Sequence, residues 1–191
     1  MDRDYVTINR DIWDAEAAHW VAMGAQRWAL EAPIWGNWGA AEAALNLLPA
    51  DLAGKDAIEL GCGTGYVSGW MARRGAWRLL RPGGRLVFLG NHPLVLVCSP
   101  LNGAPCDATL HRPYRDMWGA DWTQVEFDPT GVCFNLTMSG WMDLFRAIGF
   151  CVTNYQEIYI PDHETETSAS VPAEWGKKYP VEQVWHLEKP A

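Results

Sequence analysis

Asp56-Ala57-Ile58-Glu59-Leu60-Gly61-Cys62-Gly63-Thr64-Gly65-Tyr66-Val67-Ser68 is the stretch that decides how the rest of the chain is read. A short apolar run with an acid near its end predicts a buried parallel strand over 56–60. Three glycines then alternate at 61, 63 and 65, and a helical pattern follows through Trp70 and Met71. Glycines at this spacing let the backbone turn sharply and approach a ligand closely. The helix behind them would aim free N–H groups and a positive dipole end at the same spot. The stretch therefore reads as a cofactor-binding turn.

Two common turns do not fit. A dinucleotide fingerprint needs a third glycine where Tyr66 stands, and a Walker loop needs a Gly-Lys-Ser/Thr ending that is absent. The Glu-x-Gly-x-Gly-x-Gly pattern at 59–65 resembles motif I of the class I S-adenosylmethionine-dependent methyltransferases of small-molecule type. The resemblance implies that Gly61, Gly63 and Gly65, with Cys62 and Thr64 between them, pack against the methionine part of S-adenosylmethionine. It also implies that Glu59 helps hold the cofactor's amino group. Pro33-Ile34-Trp35-Gly36-Asn37-Trp38-Gly39 is a glycine-containing loop, and loops tend to carry function. Many members of the family place such a segment as a lid over the cofactor, a role that falls here to Trp35 and Gly36, with a plain turn as the alternative.

The chain has 191 residues, enough for one ordinary domain with a real core, and 49% of them are apolar, which argues against wholesale disorder. A net charge of −8 without a basic patch argues against a nucleic-acid partner. Five cysteines form no CxxC pair and no ligand spacing with the histidines, so they read as reduced thiols in a cytoplasmic protein with no metal. The first residues do not read as a signal peptide, and the longest apolar run, 86–97, is broken by Asn91, His92 and Pro93, so no membrane span is expected. Most of the twelve tryptophans are expected to serve packing.

Asn9 is a candidate cap for a helix that continues through Trp13, Ala17, Trp20 and Val21 toward Leu30. Pro33 ends it, and a second helix is expected over 40–48. Arg81-Pro82-Gly83-Gly84-Arg85-Leu86-Val87-Phe88 resembles the family's later segment, a Pro-Gly-Gly turn entering its fifth strand. Gly65 and Pro82 are only seventeen positions apart, and no Asp or Glu occurs from Tyr66 to Asn91. The acid that binds a cofactor ribose, expected about 20 residues beyond the glycine turn, is therefore missing, as is the adenine pocket. Ala76-Trp77 reads as the seam of an internal deletion. The shortened chain can still form a βαβ unit in which strands 56–60 and 85–90 lie side by side, joined by a helix over 65–80 with a break at Gly75. A reduced sheet would expose an edge, through which the chain could self-associate.

Segment 101–130, rich in Pro, Gly, Asp and aromatics, reads as an inserted cap, with His92, His111, Tyr114, Arg115 and Asp116 as candidate substrate-binding groups. A histidine there could act as a general base, against the alternative of an ordinary loop histidine. His92, His111 and Tyr114 are the catalytic candidates. Strand 132–136, a helix ending at Gly149, strand 151–160, an acidic surface loop over 162–173 and a closing antiparallel strand over 179–187 complete the chain.

The expected fold is thus α/β, a Rossmann-like methyltransferase sheet reduced by an internal deletion. It has a helical lid (1–50), a cofactor-binding βαβ core (55–100), an inserted cap (101–130) and a C-terminal helix with strands (131–191). The resemblance implies methyl transfer from S-adenosylmethionine to a small molecule. A non-catalytic remnant that only binds or associates is the alternative, and a dinucleotide oxidoreductase fits the glycine spacing less well.

Overall fold

The computed structural model describes residues 4–55, 57–60, 64–74, 83–115, 117, 120–121, 132–133, 135–168 and 170–190. In chain order the elements are α1 (Tyr5–Trp28), β1 (Ile34–Trp35), β2 (Ala40–Ala41), α2 (Glu42–Leu45), α3 (Tyr66–Arg73), β3 (Arg85–Asn91) and α4 (Pro93–Cys98). They continue with β4 (Ala120–Asp121), β5 (Val132–Cys133), α5 (Met138–Ala147), β6 (Cys151–Ile158), α6 (Ala173–Gly176) and β7 (Glu182–Glu188). The expectations for Asp56, Gly61, Cys62, Gly63, the 76–77 seam and Asp116 lie outside the described residues.

Among the described residues the largest sheet has three strands in the order β3-β7-β6, and β1-β2 and β4-β5 are separate two-stranded antiparallel pairs. Hydrogen bonds from Lys189 N–H to Gly84 O and from His92 N–H to Val181 O bracket β3 and β7 and fix them as antiparallel. The closing antiparallel strand expected over 179–187 is β7, and it is the central strand. Phe145 of α5 covers part of this sheet, with ring centroids 6.1 Å from Phe88 and 5.4 Å from Trp185.

Several expectations change. Ala57–Leu60 form no strand, and Leu60 is 73% exposed. The neighbour of β3 is β7, so the βαβ pairing of 56–60 with 85–90 does not occur; an apolar run becomes a strand only where a partner satisfies its backbone. α1 starts at Tyr5 and not near Asn9, because the Asp4 carboxylate accepts from Thr7 N–H at 3.1 Å and so caps the first turn. The second helix shrinks to Glu42–Leu45: Asn46 takes a left-handed conformation (φ 50°), and the Glu42 carboxylate draws off the next two amides. Trp13 (57% exposed) and Trp20 (41%) stand in solvent on α1, whereas Trp35, Trp70, Trp175 and Trp185 are buried as packing residues.

The chain divides into two compact units: 1–16, 89–144 and 156–184 make one, and 17–88, 145–155 and 185–191 make the other. In the first, Val97, Ile160, Val171, Trp175, Val181 and Val184 are core residues. Gly176 lies so close to Ile160 and Val181 that no side chain fits there. In the second, Trp35, Leu52, Tyr66, Trp70, Phe145 and Leu187 are core residues.

Candidate functional site

The glycine turn ends at Gly65, which sits at the N-cap of α3 with φ 70°, a conformation that favours glycine. A Cβ at Gly65 would meet nothing within 4 Å, so this side of the turn is open. No side chain at Gly65 can cap the helix. Glu59 does so instead, its Oε2 accepting from Ser68 N–H at 2.7 Å and Ser68 Oγ at 2.6 Å. Ser68 is the third residue of α3, where an unsatisfied backbone donor is expected. Glu59 is half-buried, and its Oε1 accepts no hydrogen bond from the described residues. An acid with one oxygen tied to the helix start and one open suits a ligand ammonium group.

α1 closes on the other side of this turn. Trp28 Nε1 donates to Thr64 O at 3.2 Å, and the Thr64 side chain fills the space a Cβ would need at Gly24. Trp28 also packs directly on Gly69. Its ring meets Tyr66 edge-on at 6.2 Å, and Tyr66 meets Trp70 in the same way at 6.4 Å. The Arg73 guanidinium lies 4.5 Å from the Trp70 ring and 5.9 Å from that of Trp28. Two helices and the turn are thus locked by aromatic packing.

Trp35 is 5% exposed, and its indole N–H donates to Glu42 Oε2 at 2.7 Å. Gly36, with φ 65°, starts the turn between β1 and β2, and its carbonyl accepts from Arg27 Nη2 at 2.8 Å. The 33–39 loop is therefore a pinned hairpin. A free lid would not have its ring and carbonyl tied in this way. Its anchor, Glu42, carries no sequence signal beyond being an acid after an alanine pair. The Glu42 carboxylate takes four donors: Trp35 Nε1, Leu47 N–H, Leu48 N–H and Arg74 Nη1. Arg74 in turn donates to Leu48 O at 2.7 Å and Pro49 O at 3.1 Å. Both Glu42 oxygens are occupied by these four donors.

The other candidates belong to the first unit. His92 caps α4, its Nδ1 accepting from Leu94 N–H at 3.1 Å. That assignment puts the proton of the neutral ring on Nε2, which lies 3.5 Å from Glu157 Oε1, too long for a good hydrogen bond. Burial holds the His92 pKa below its ordinary value, and Glu157 opposes the shift without overcoming it. With one nitrogen capping a helix and the other facing a carboxylate, His92 has no nitrogen placed to accept a substrate proton. Tyr114 is also engaged, its hydroxyl accepting from Met138 N–H at the start of α5 at 2.9 Å. Arg115 is exposed.

His111 differs. Its Nε2 is 2.9 Å from Asp107 Oδ1, and its Nδ1 makes no hydrogen bond with the described residues. An aspartate that accepts a hydrogen bond from Nε2–H leaves Nδ1 with a lone pair, the arrangement of a histidine base. Asp107 is held below the ordinary carboxylate range, first by the Thr109 N–H and then by His111. Cys98 and Cys106 are free, and burial pushes both thiols up, away from the reactive thiolate. Among the described residues no His, Cys, Asp or Glu group is arranged to hold a metal ion, and no helix is long and apolar enough to cross a membrane.

A solved structure that is similar covers most of the chain. It is the crystal structure of S-adenosylmethionine dependent methyltransferase from Mesorhizobium loti, with a TM-score of 0.57 at 18% identity, covering 81% of this chain and 100% of that one. At this identity the likeness is one of fold, and the chain has an α/β fold similar to that methyltransferase. No protein-family model matches the sequence, and no curated protein matches it.

Proposed function

We propose that the chain binds S-adenosylmethionine at the glycine turn and acts as a methyltransferase on a small molecule. The observation that carries this reading is the pairing of Gly65, open on one side at the start of α3, with Glu59, whose second carboxylate oxygen is uncommitted. The similar fold of a methyltransferase supports it. Glu59 would take the ammonium of the cofactor's methionine part, and the turn through Gly65 would lie against it. The bound cofactor supplies an electrophilic methyl group on a sulfonium. What remains for the protein is largely positioning, with a base only where the acceptor must lose a proton.

A second reading has its own support. From Tyr66 to Asn91 there is no carboxylate for the ribose, Glu42 is saturated by its four donors, and Ala57–Leu60 form no strand. A scaffold of methyltransferase fold that no longer turns over accounts for these three facts.

Thermal unfolding in the presence of ligands tests the binding claim. Saturating S-adenosylmethionine or S-adenosylhomocysteine should raise the unfolding midpoint, and NAD should not. Ligand at a hundred times its dissociation constant contributes about 2.7 kcal/mol of stability. Equal midpoints with and without all three ligands would leave only the non-catalytic reading.

A further inference from the structure

Thr64 is held at two points by one face of α1. Its side chain fills the notch over Gly24, and its carbonyl accepts from Trp28 Nε1 at 3.2 Å. Gly24 and Trp28 are four positions apart on the helix and so lie on the same face. The Trp28 ring is set in turn by its close packing on Gly69 and its edge-on contact with Tyr66. Tyr66 is fixed independently, since its hydroxyl accepts from Ile34 N–H at 3.0 Å.

A planar trans peptide points its C=O and N–H in opposite directions. With the Thr64 carbonyl turned to Trp28, the Gly65 N–H points away from that indole. It makes no hydrogen bond with the described residues. Gly65 has φ 70° and ψ 24°, and glycine takes positive or negative φ at little steric cost. The Thr64–Gly65 peptide would therefore turn over readily if nothing held its carbonyl, and the N–H would turn with it. The Trp28 indole is the group that holds it. Packing alone does not call for a donor at this position, because a phenylalanine ring would also cover Gly69 and meet Tyr66.

We propose that Trp28 is a positioning residue for the cofactor. By fixing the Thr64–Gly65 peptide it keeps the Gly65 N–H aimed at the carboxylate of the cofactor's methionine part, while Glu59 takes the ammonium. The inference rests on the function proposed above and adds α1 to the binding machinery. Trp28 acts through Thr64 and not by touching the ligand. The Trp28–Thr64 hydrogen bond and the cofactor then favour the same peptide orientation, so each strengthens the other.

Titration of S-adenosylhomocysteine into the unaltered chain and into Trp28→Phe tests this. The phenylalanine keeps an aromatic ring against Gly69 and lacks the N–H. Affinity should fall about threefold to tenfold, the worth of one hydrogen bond. A Trp28 that served packing alone would lower the unfolding midpoint of the variant and leave the affinity of its folded form unchanged. A second measurement uses only the unaltered chain, by nuclear magnetic resonance. With saturating S-adenosylhomocysteine, the Trp28 indole proton should exchange with solvent more slowly, and by a larger factor than that of Trp35, whose indole is bonded to Glu42 and not to the turn. Equal affinity in a folded Trp28→Phe chain, or a Trp28 indole proton whose exchange the bound ligand leaves unchanged, would overturn this inference and leave cofactor binding standing. No binding by the unaltered chain would overturn the proposed function and this inference with it.

Discussion

Glu59 accepts both the main-chain N–H and the hydroxyl of Ser68 through a single oxygen, at 2.7 and 2.6 Å. This pair joins the residues before the glycine turn to the helix after it. It makes Glu59 both a helix cap and the expected holder of the cofactor's amino group. The two roles can be separated. Ser68→Ala removes the hydroxyl and keeps the main-chain bond, so it should cost about 0.5–1.5 kcal/mol of stability and leave cofactor affinity nearly unchanged. Glu59→Gln keeps an acceptor for Ser68 but loses the charge, so cofactor affinity should fall by about tenfold or more. Urea unfolding and binding titration of both variants check this, and equal affinity in Glu59→Gln and the unaltered chain would remove Glu59 from the site.

Glu42 is the structural acid of the same unit. Glu42→Ala would leave the partly buried Arg74 guanidinium, the Trp35 indole N–H and two amides without their common acceptor. The expected loss is about 3 kcal/mol, near the lower end for breaking a buried ion pair because Arg74 retains two carbonyl partners. Denaturant unfolding measures it directly. A change below about 0.5 kcal/mol, the size of a surface substitution, would contradict the anchoring role.

Gly24 and Gly69 are where α1 meets the turn and α3. A side chain at Gly24 would run into Thr64, and one at Gly69 into the Trp28 ring. Gly24→Val should therefore destabilise by about 1–3 kcal/mol through overpacking. Gly54, with no neighbour within 4 Å but a φ of 67°, makes a useful contrast. Gly54→Ala should cost only its backbone strain, about 1 kcal/mol, and should not alter the fluorescence of the buried tryptophans. Gly24→Val should alter it.

Stability should depend on pH through two histidines. Burial lowers His92 and His186 below the ordinary value of 6.5, with Arg85 adding to the effect at His186. The native state therefore holds both rings neutral while the unfolded chain takes up protons first. Their contribution is fully present above pH 6.5 and declines as pH falls below it toward the native values. His92→Asn keeps an acceptor for the Leu94 N–H and removes one titration. The difference in urea midpoint between pH 7 and pH 5 should shrink in this variant, and an unchanged difference would show that His92 is not one of the groups responsible.

The elements read correctly from sequence are those whose signals are local. The helix stopping at Gly149, the strand after Phe150 and the strand after the Gly83-Gly84 turn follow from glycine stops and apolar periodicity, and the structure has α5, β6 and β3 there. Residues 57–60 of the 56–60 run carry the same apolar signal and form no strand, since periodicity does not supply a partner. The expected 40–48 helix stopped short because the carboxylate of its own first residue captured the amides of Leu47 and Leu48. At the glycine turn, the sequence singles out Glu59 and Gly65, and the structure has both at the start of α3. The contact of Trp28 and Gly24 with Thr64 was not legible, because it joins segments about forty residues apart, and only the folded chain brings them together.

Calorimetric titration of the 191-residue chain with S-adenosylmethionine and S-adenosylhomocysteine tests the central claim most directly. Gly65→Val, which places a side chain on the open face of the turn, serves as the companion variant. Micromolar binding, about −8 kcal/mol, that is lost in a folded Gly65→Val chain is the predicted result. No heat of binding from a folded, unaltered chain would contradict the account and leave a methyltransferase-like fold without its cofactor.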